Sequence, residues 1–163
     1  MLKFQVIDAA ALDALTAEAC ESPRGRKNRN LHHRAEDPCH RLLNAIEPRS
    51  YVAPHCHADP SKDETLSVLR GRVGLVRFDA WGGAAEILVL GAGALAQVAT
   101  IPAGSFHSLV SLEEGTVLLE AKAGPYQPPQ AHERADWAPA EGDPRAAEYL
   151  EELRALFAAE SRA

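Results

Sequence analysis

His55 and His57 stand one residue apart within the segment SYVAPHCH (50–57), and they are the first candidates for chemistry. If this segment is a β-strand, its side chains alternate between two faces, so both imidazole rings point to one face and Cys56 points to the other. On a helix the two rings would point apart. We therefore predict a strand here, and we expect Cys56 to face away from the histidines, which argues against a cysteine nucleophile.

A carboxylate and a third histidine follow further along the chain. In the predicted strand ETLSVLRG (64–71), Glu64 shares a face with apolar residues. A carboxylate at the mouth of an apolar barrel is costly unless it is paired or bound to a cation. His107 opens a later predicted strand, just after the turn PAG (102–104). Imidazole with carboxylate suits Fe, Zn, Mn, Ni or Cu and is too nitrogen-rich for Mg²⁺ or Ca²⁺. The predicted ligands of a divalent transition metal are His55, His57, Glu64 and His107.

The basic segment RGRKNRN (24–30) is the second group of candidates, since it carries no acid in an otherwise acidic protein. Guanidinium groups match carboxylates and phosphates in paired hydrogen bonds, and amides suit hydroxyls, so the segment could clamp an anionic ligand. The alternative is a solvated basic loop that pairs with acidic residues elsewhere. Lys122 could line the wall of a pocket and Tyr126 could offer a phenol at its rim. The predicted substrate-binding residues are Arg24, Arg26, Asn28, Asn30, Lys122 and Tyr126.

Composition excludes several classes of protein. The chain has 163 residues and a net charge of −6, which argues against general nucleic-acid binding. It has no apolar run of membrane-spanning length, and its first 20 residues lack the pattern of a signal peptide. Three cysteines without a CxxC pair indicate reduced thiols. We expect a cytoplasmic protein that binds neither nucleic acid nor a membrane. The other histidines, at 32, 33, 40 and 132, lie in polar or Pro-rich surroundings and are predicted to be surface groups.

Short segments rich in Val, Leu, Ile and Phe, bounded by Gly, Pro, Asp or Ser, predict β-strands over much of the chain. The eight candidates are RLLNAIE (41–47), SYVAPHCH (50–57), TLSVLRG (65–71), VGLVRFD (73–79), AEILVLG (85–91), LAQVATIP (95–102), SFHSLVSL (105–112) and TVLLEAK (116–122). A hairpin turn is predicted at Gly82 and Gly83. Eight even, short strands without intervening helical pattern favour an antiparallel sandwich or barrel.

The two ends of the chain differ from this middle part. DAAALDALTAEAC (8–20) predicts a short helix capped by Asp8. Residues 124–144 contain five prolines and predict an irregular strap, held to the body by Tyr126 and Trp137. PRAAEYLEELRALFAAE (144–160) predicts an amphipathic helix capped by Asp143 that packs on the barrel, with a dimer contact as the alternative. We predict one domain over 1–163, with an N-terminal helix and basic loop (1–37), a β-barrel core (38–123), and the strap with its helix (124–163).

The motifs HxH, E-x6-G (ETLSVLRG) and PxGxxH (PAGSFH) resemble the two metal-binding motifs of the cupin superfamily. This resemblance implies an all-β, jelly-roll barrel or sandwich with His55, His57, Glu64 and His107 in the metal-ligand places. The gap between His57 and Glu64 is longer than usual, so Asp59 or Asp63 could take the place of Glu64.

A closer likeness covers nearly the whole chain. SPRGRKNRNLHH, SYVAPHCHADPSKDET, FDAWG, PAGSFHSLV, EAKAGPY and DWAPAEG, in this order, are similar to the WbuC-type cupin metalloproteins of bacteria, which are associated with O-antigen and other surface-polysaccharide gene clusters. The resemblance implies a metal-binding cupin and leaves the reaction open.

Two functions therefore stand as expectations. The first is an enzyme whose divalent Fe, Zn, Mn or Ni ion acts as a Lewis acid on a small anionic molecule, such as a sugar or nucleotide-sugar derivative, in isomerase-like or epimerase-like chemistry. An Fe-dependent oxygenase is the competing chemistry. The second is a non-catalytic, metal-dependent module that binds or senses a small ligand. A titratable group close to the metal favours the enzyme.

Overall fold

The computed structural model describes residues 4–158. Its helices are α1 Ala9–Glu21 and α2 Ala146–Ala155, with a 3-10 turn at Ala131–Glu133. Its strands are β1 Arg26–Asn30, β2 Cys39–Ile46, β3 Glu64–Arg70, β4 Arg72–Phe78, β5 Ala84–Gly91, β6 Val98–Ile101, β7 His107–Ser111 and β8 Thr116–Ala123. Within this part of the chain, no helix is both long and apolar enough to cross a membrane.

The strands form two antiparallel sheets that face each other. The large sheet has the order β1-β2-β8-β3-β6 and the small sheet has the order β5-β4-β7. Alternate residues of both sheets point inward and form a common core of Ile46, Leu66, Val73, Leu75, Leu90, Ile101, Leu109 and Leu118. The predicted fold class is confirmed: the protein is an all-β, jelly-roll sandwich of cupin type with a helix near each end.

The two helices cover the outer faces of the sheets. Leu15 and Ala19 of α1 pack on the outer face of the large sheet, and the Asp8 side chain caps this helix by accepting from Ala11 N at 2.9 Å. Leu150 of α2 packs on the outer face of the small sheet, as the amphipathic pattern predicts. Ala146, Leu153 and Phe157, which are also apolar, are buried with Leu150.

The boundaries of α2 differ from the prediction. The helix begins at Ala146 and not at Pro144, and its N-cap residue is Arg145, which makes no side-chain capping bond. The Asp143 carboxylate instead accepts from Arg145 N at 2.8 Å in the turn before the helix. Ala159 and Glu160, the last residues of the predicted helix, lie outside the described residues.

Two segments differ from the strand prediction. SYVAPHCH is not a strand: Pro54 cannot donate to a ladder, and His55 alone forms isolated bridges. Conversely, the polar segment RKNRN, predicted as a loop, is the edge strand β1, paired over five residues with β2. Pairing with β2 and packing of α1 outweigh the low strand propensity of these residues.

The hairpin prediction is confirmed, because Gly82 has a φ of +87° and the Asp79 carboxylate accepts from Gly83 N in the β4–β5 turn. The strap prediction is confirmed in part. Trp137 packs on Phe78, with 4.9 Å between ring centroids, whereas the Tyr126 side chain is 61% exposed and does not hold the strap to the body.

Candidate metal centre

Four side chains converge at one end of the sandwich. His55, His57, Glu64 and His107 each offer a ligand atom, and these four atoms all lie within 4.8 Å of one another. Glu64 and His107 are buried, whereas His55 and His57 are partly buried. The structure therefore brings together all four side chains that the sequence predicts as metal ligands.

The ligand residues come from both sheets and from the segment between them. Glu64 is the first residue of β3 in the large sheet, and His107 is the first residue of β7 in the small sheet. His55 pairs with His107 through two backbone hydrogen bonds of 3.0 and 2.8 Å. On the other side of this segment, Cys56 N donates to Glu133 O in the strap at 2.9 Å. The pairing keeps residues 55–57 extended without a full strand, so both imidazoles reach the same site.

Backbone carbonyls orient two of the imidazoles. His55 Nδ1 lies 3.1 Å from Ala53 O, and His107 Nδ1 lies 2.9 Å from Ser105 O. Because a carbonyl oxygen only accepts, Nδ1 carries the proton in both rings and Nε2 keeps its lone pair. Such contacts are the usual means by which a protein fixes the orientation of a metal-binding histidine.

Glu64 is held as a carboxylate in spite of its burial. Burial alone would raise its pKa, but a hydrogen bond from His57 at 2.6 Å and the charge of Lys122, whose Nζ lies 3.8 Å away, lower the pKa of Glu64 to about 2. The short His57–Glu64 contact requires a proton between Nε2 and the carboxylate oxygen. A cation bound at the centre would replace that proton, since metal binding to histidine releases protons.

Two of the imidazoles, those of His55 and His107, are held neutral. Burial, followed by the proximity of His107, lowers the pKa of His55 to about 4, and burial also lowers the pKa of His107. Neutral imidazoles and an ionised carboxylate are the states that metal ligation requires. The donor set of three nitrogens and one oxygen fits a divalent transition metal.

The two alternative carboxylates have other partners. Asp59 accepts from Ser61 N and Oγ at 2.9 and 2.7 Å, and Asp63 accepts from Ala103 N at 2.9 Å. Neither belongs to the group, so Glu64 supplies its carboxylate. The sulfur of Cys56 is not part of the group either, although the residue lies between two of its members. All three cysteines, at 20, 39 and 56, are free thiols.

A second layer of polar groups lies on β8 next to the four side chains. Lys122 Nζ is 3.4 Å from His57 Nε2 and 2.6 Å from Glu120, whose other oxygen accepts from Asn44 Nδ2 at 2.6 Å. Burial and the charge of Glu64 raise the pKa of Glu120. Burial alone would lower the pKa of Lys122, but Glu120 and Glu64 together raise it. Asn44 is a neighbour of the site that the sequence reasoning missed, because its role depends on the pairing of β2 with β8.

One cleft of about 370 Å³ adjoins this layer and contains four of the predicted substrate-binding residues. We call it the asparagine cleft, and its polar lining includes Asn28, Asn30, Glu120, Lys122, Tyr126, His32 and His40. His32 and His40 stack with 4.0 Å between ring centroids and are 9% and 5% exposed, so their prediction as surface groups is wrong. His33 and His132 are exposed, as predicted.

The two predicted arginines lie elsewhere. Arg24 pairs with Glu141 of the strap at 2.8 Å, and Arg26 pairs with the same carboxylate. Arg26 also donates to Tyr51 O at 2.8 Å, which joins β1 to the segment before the histidines. Neither arginine lines the asparagine cleft.

A second cleft, of about 490 Å³, opens between the two sheets next to His107. We call it the inter-sheet cleft. Its apolar walls are Leu75 and Leu88 of the small sheet with Ala99, Ile101 and Pro102 of the large sheet, and its polar groups are His107, Ser105, Thr100, Arg77 and Glu86. The candidate centre thus lies between two clefts. One presents amides, imidazoles and Lys122, and in the other apolar walls meet the Arg77–Glu86 pair.

The two-sheet jelly roll with three histidines and a glutamate at one end defines a cupin-fold protein with a candidate metal centre. The chain belongs to the family described as "Domain of unknown function (DUF6016)", whose model matches residues 7–90.

Solved structures with a similar fold include a conserved protein of unknown function from Streptococcus pyogenes, at 15% identity and a TM-score of 0.51, over 78% of this chain and 93% of that one. KdgF from a Halomonas species is similar at 15% identity and a TM-score of 0.50, over 65% and 84% of the two chains. A cupin-2 domain containing protein from Shewanella frigidimarina is similar at 20% identity and a TM-score of 0.46, over 60% and 80%. No curated protein matches the sequence.

Proposed function

We propose that this protein is a metal-dependent enzyme that binds divalent Fe, Zn, Mn or Ni through His55, His57, Glu64 and His107 and acts on a small anionic molecule. A bound metal ion would supply Lewis-acid chemistry, polarising a carbonyl or a pair of hydroxyls of the substrate. Isomerase-like or epimerase-like chemistry on a sugar or nucleotide-sugar derivative fits this description, and Fe-dependent oxygenation is the competing reaction.

The convergence of three imidazoles and one ionised carboxylate, with ligand atoms within 4.8 Å of one another, carries the proposal. The buried Glu64 carboxylate, whose pKa is lowered to about 2, stays ionised at neutral pH. Among the described residues, its partners are His57 at 2.6 Å and His107 and Lys122 at 3.8 Å. Lys122 also pairs with Glu120, which shares its positive charge. A divalent cation at this place would compensate the negative charge more fully.

The polar layer on β8 favours an enzyme over a binding module. Lys122 Nζ lies 3.4 Å from one candidate ligand atom, within reach of a substrate held at the centre. Lys122 would bind an anionic oxygen of the substrate and hold a proton near it, while Glu120 and Asn44 would position the ammonium group. A module that only binds its ligand needs no such coupled set of titratable groups.

The asparagine cleft supports a substrate with several hydroxyl groups. Asn28, Asn30 and Tyr126 line the same cleft as Lys122, and amides and a phenol both donate to and accept from hydroxyls. Arg24 and Arg26 would bind the substrate only if its anionic group replaced Glu141 as their partner. The likeness of the sequence to WbuC-type proteins supports a role in surface-polysaccharide (O-antigen) biosynthesis as part of this proposal.

Elemental analysis of the purified protein and of two variants tests the metal site. We expect about one transition-metal ion per chain in the wild type, and loss of that ion in His55→Ala and His107→Ala with the circular dichroism of the sandwich retained. His132→Ala is the matched control, because His132 is exposed and outside the group. Unchanged metal content in both ligand variants would show that the proposed site is wrong.

A second experiment separates the enzyme from a metal-dependent binding module. A thermal-shift screen of the metal-loaded protein against nucleotide sugars and keto acids identifies compounds that bind, and NMR then detects whether they are converted. In Lys122→Met we expect the metal to remain and conversion to fall by at least about a hundredfold, the range of general acid–base catalysis. Binding without conversion in the wild type would favour the non-catalytic module.

A further inference from the structure

Arg77 lies on the same inward row of side chains as a candidate metal ligand. In the small sheet, Arg77 of β4 is the register partner of His107 on β7 and of Glu86 on β5. Directly opposite residues project to the same face of a sheet, and their Cα atoms are about 5 Å apart. Leu75, two residues before Arg77, belongs to the inner core. Arg77 therefore points between the sheets, as the metal-ligand candidate next to it does.

The inter-sheet cleft connects these groups. His107 lines the cleft together with the Arg77–Glu86 pair, and Leu75, Leu88 and Ile101 form apolar walls. A ligand that extends from the candidate centre past His107 would therefore lie along these apolar walls and reach the guanidinium group of Arg77. A ligand that matches the centre, the apolar walls and the guanidinium group has an oxygen group at the metal, an apolar stem and a second anionic group.

The ion pair at the mouth of the cleft is weak enough to open. Arg77 Nε donates to Glu86 Oε2 at 2.9 Å, and the two side chains are 44% and 64% exposed. Ion pairs this exposed contribute little to stability and exchange partners readily. The planar guanidinium has five donors in all, and a carboxylate takes two of them in parallel.

We infer that Arg77 binds the second anionic group of the ligand, a carboxylate, and that Glu86 competes with the ligand for this guanidinium. The inference rests on the proposed metal centre, which holds the first group. It adds a specificity-determining residue and a requirement for the part of the ligand that lies in the inter-sheet cleft, which is a short apolar stem that ends in a carboxylate. The competition predicts effects of opposite sign, because removing Arg77 weakens binding and removing the charge of Glu86 strengthens it.

Isothermal titration of the metal-loaded protein with matched acids tests this inference. The probes are two pairs of equal chain length, succinate with butyrate and glutarate with pentanoate, so that each pair differs by the distal carboxylate alone. We expect at least one dicarboxylate to bind the wild type about tenfold more tightly than its partner, the effect of one charge-assisted hydrogen bond at a partly exposed site. Arg77→Gln is expected to abolish this preference and Glu86→Gln to increase it about threefold.

Arg72→Gln is the matched control, because Arg72 lies on the same strand and forms a similar ion pair with Glu113 at 2.7 Å, but it does not line the inter-sheet cleft. We expect this variant to keep the wild-type preference. Arg77→Lys retains a charge at the same position and is expected to keep part of the preference, which provides a second measurement should Arg77→Gln fold poorly.

The outcomes distinguish this inference from the proposed function. If every acid binds equally well with and without metal, the metal centre is wrong and the inference falls with it. If binding requires metal but neither dicarboxylate is preferred, or if the preference survives in Arg77→Gln, the role of Arg77 is wrong and the metal centre stands.

Discussion

The neutral state of His55 in the folded protein predicts that the metal-free protein loses stability as the pH falls from about 6.5 to about 4. Burial and the proximity of His107 lower the pKa of His55 to about 4 in the folded protein, whereas the ordinary value of 6.5 applies to the unfolded chain. Between these two pH values the unfolded chain binds a proton that the folded protein does not bind. The free energy of unfolding therefore decreases on acidification in this window.

The size of the effect follows from the difference between the two pKa values. A difference of about 2.5 units, at about 1.36 kcal/mol for each unit, corresponds to about 3 kcal/mol when the pH has fallen to about 4. This is a large share of the roughly 5–15 kcal/mol by which a typical domain is stable. Above about pH 7 the loss vanishes, because His55 is neutral in both states.

Urea denaturation of chelator-treated protein between about pH 7 and about pH 4 measures this loss. We expect His55→Gln to lose about 3 kcal/mol less than the wild type over the same range, since glutamine does not titrate. His107, whose pKa is also lowered, contributes to both proteins, so the difference isolates His55. His132→Gln, which removes an exposed histidine, should behave like the wild type. Parallel pH profiles for wild type and His55→Gln would refute the reasoning.

Three further predictions concern the fold and the metal. Gly74→Ala should destabilise the protein by about 1–3 kcal/mol in thermal unfolding, because a Cβ there would lie 2.5 Å from the Phe157 ring. Adding Phe157→Leu should recover part of this loss. Full stability of the single variant would contradict this packing. Asp8→Ala should cost about 1 kcal/mol through loss of the α1 cap, whereas Asp8→Ser should be nearly neutral. In competition with a chelator, metal release caused by protonation of His55 should occur near pH 4 and not near pH 6.5. Complete release of the metal by pH 6 would contradict this prediction.

The candidate metal ligands could be predicted from the sequence because the motifs that contain them are short and local. The alternation in residues 55–57 places two imidazoles on one side, and this remains true although the segment is held by bridges and not by a full strand. The long gap before Glu64 did not mislead the prediction, because a turn closed by Lys62 N and Asp59 O at 2.9 Å takes up the extra residues. Residue type and spacing were therefore sufficient for this part of the site.

The surroundings of the centre depend on which strands lie side by side, and no local pattern shows that. Asn28 and Asn30 reach a cleft because RKNRN forms an edge strand, which its polar composition does not indicate. Arg77 meets His107 only through the strand order β5-β4-β7 of the small sheet. The stacking of His32 on His40 likewise joins residues whose polar neighbours suggest a surface position.

The attachment of the His55 segment to the strap gives metal occupancy a second readout. The strap contacts this segment through Cys56 N to Glu133 O at 2.9 Å, Ala135 N to Pro54 O at 3.1 Å and Ala58 N to the Glu133 carboxylate at 2.8 Å. A metal ion that binds only while the His55 segment is in place raises the free energy that is needed to open this segment and the strap locally. A protease acting on the Pro-rich strap of residues 124–144 would consequently cut the metal-free protein faster than the metal-loaded one, so the rate of cleavage in the strap would report metal occupancy of the centre.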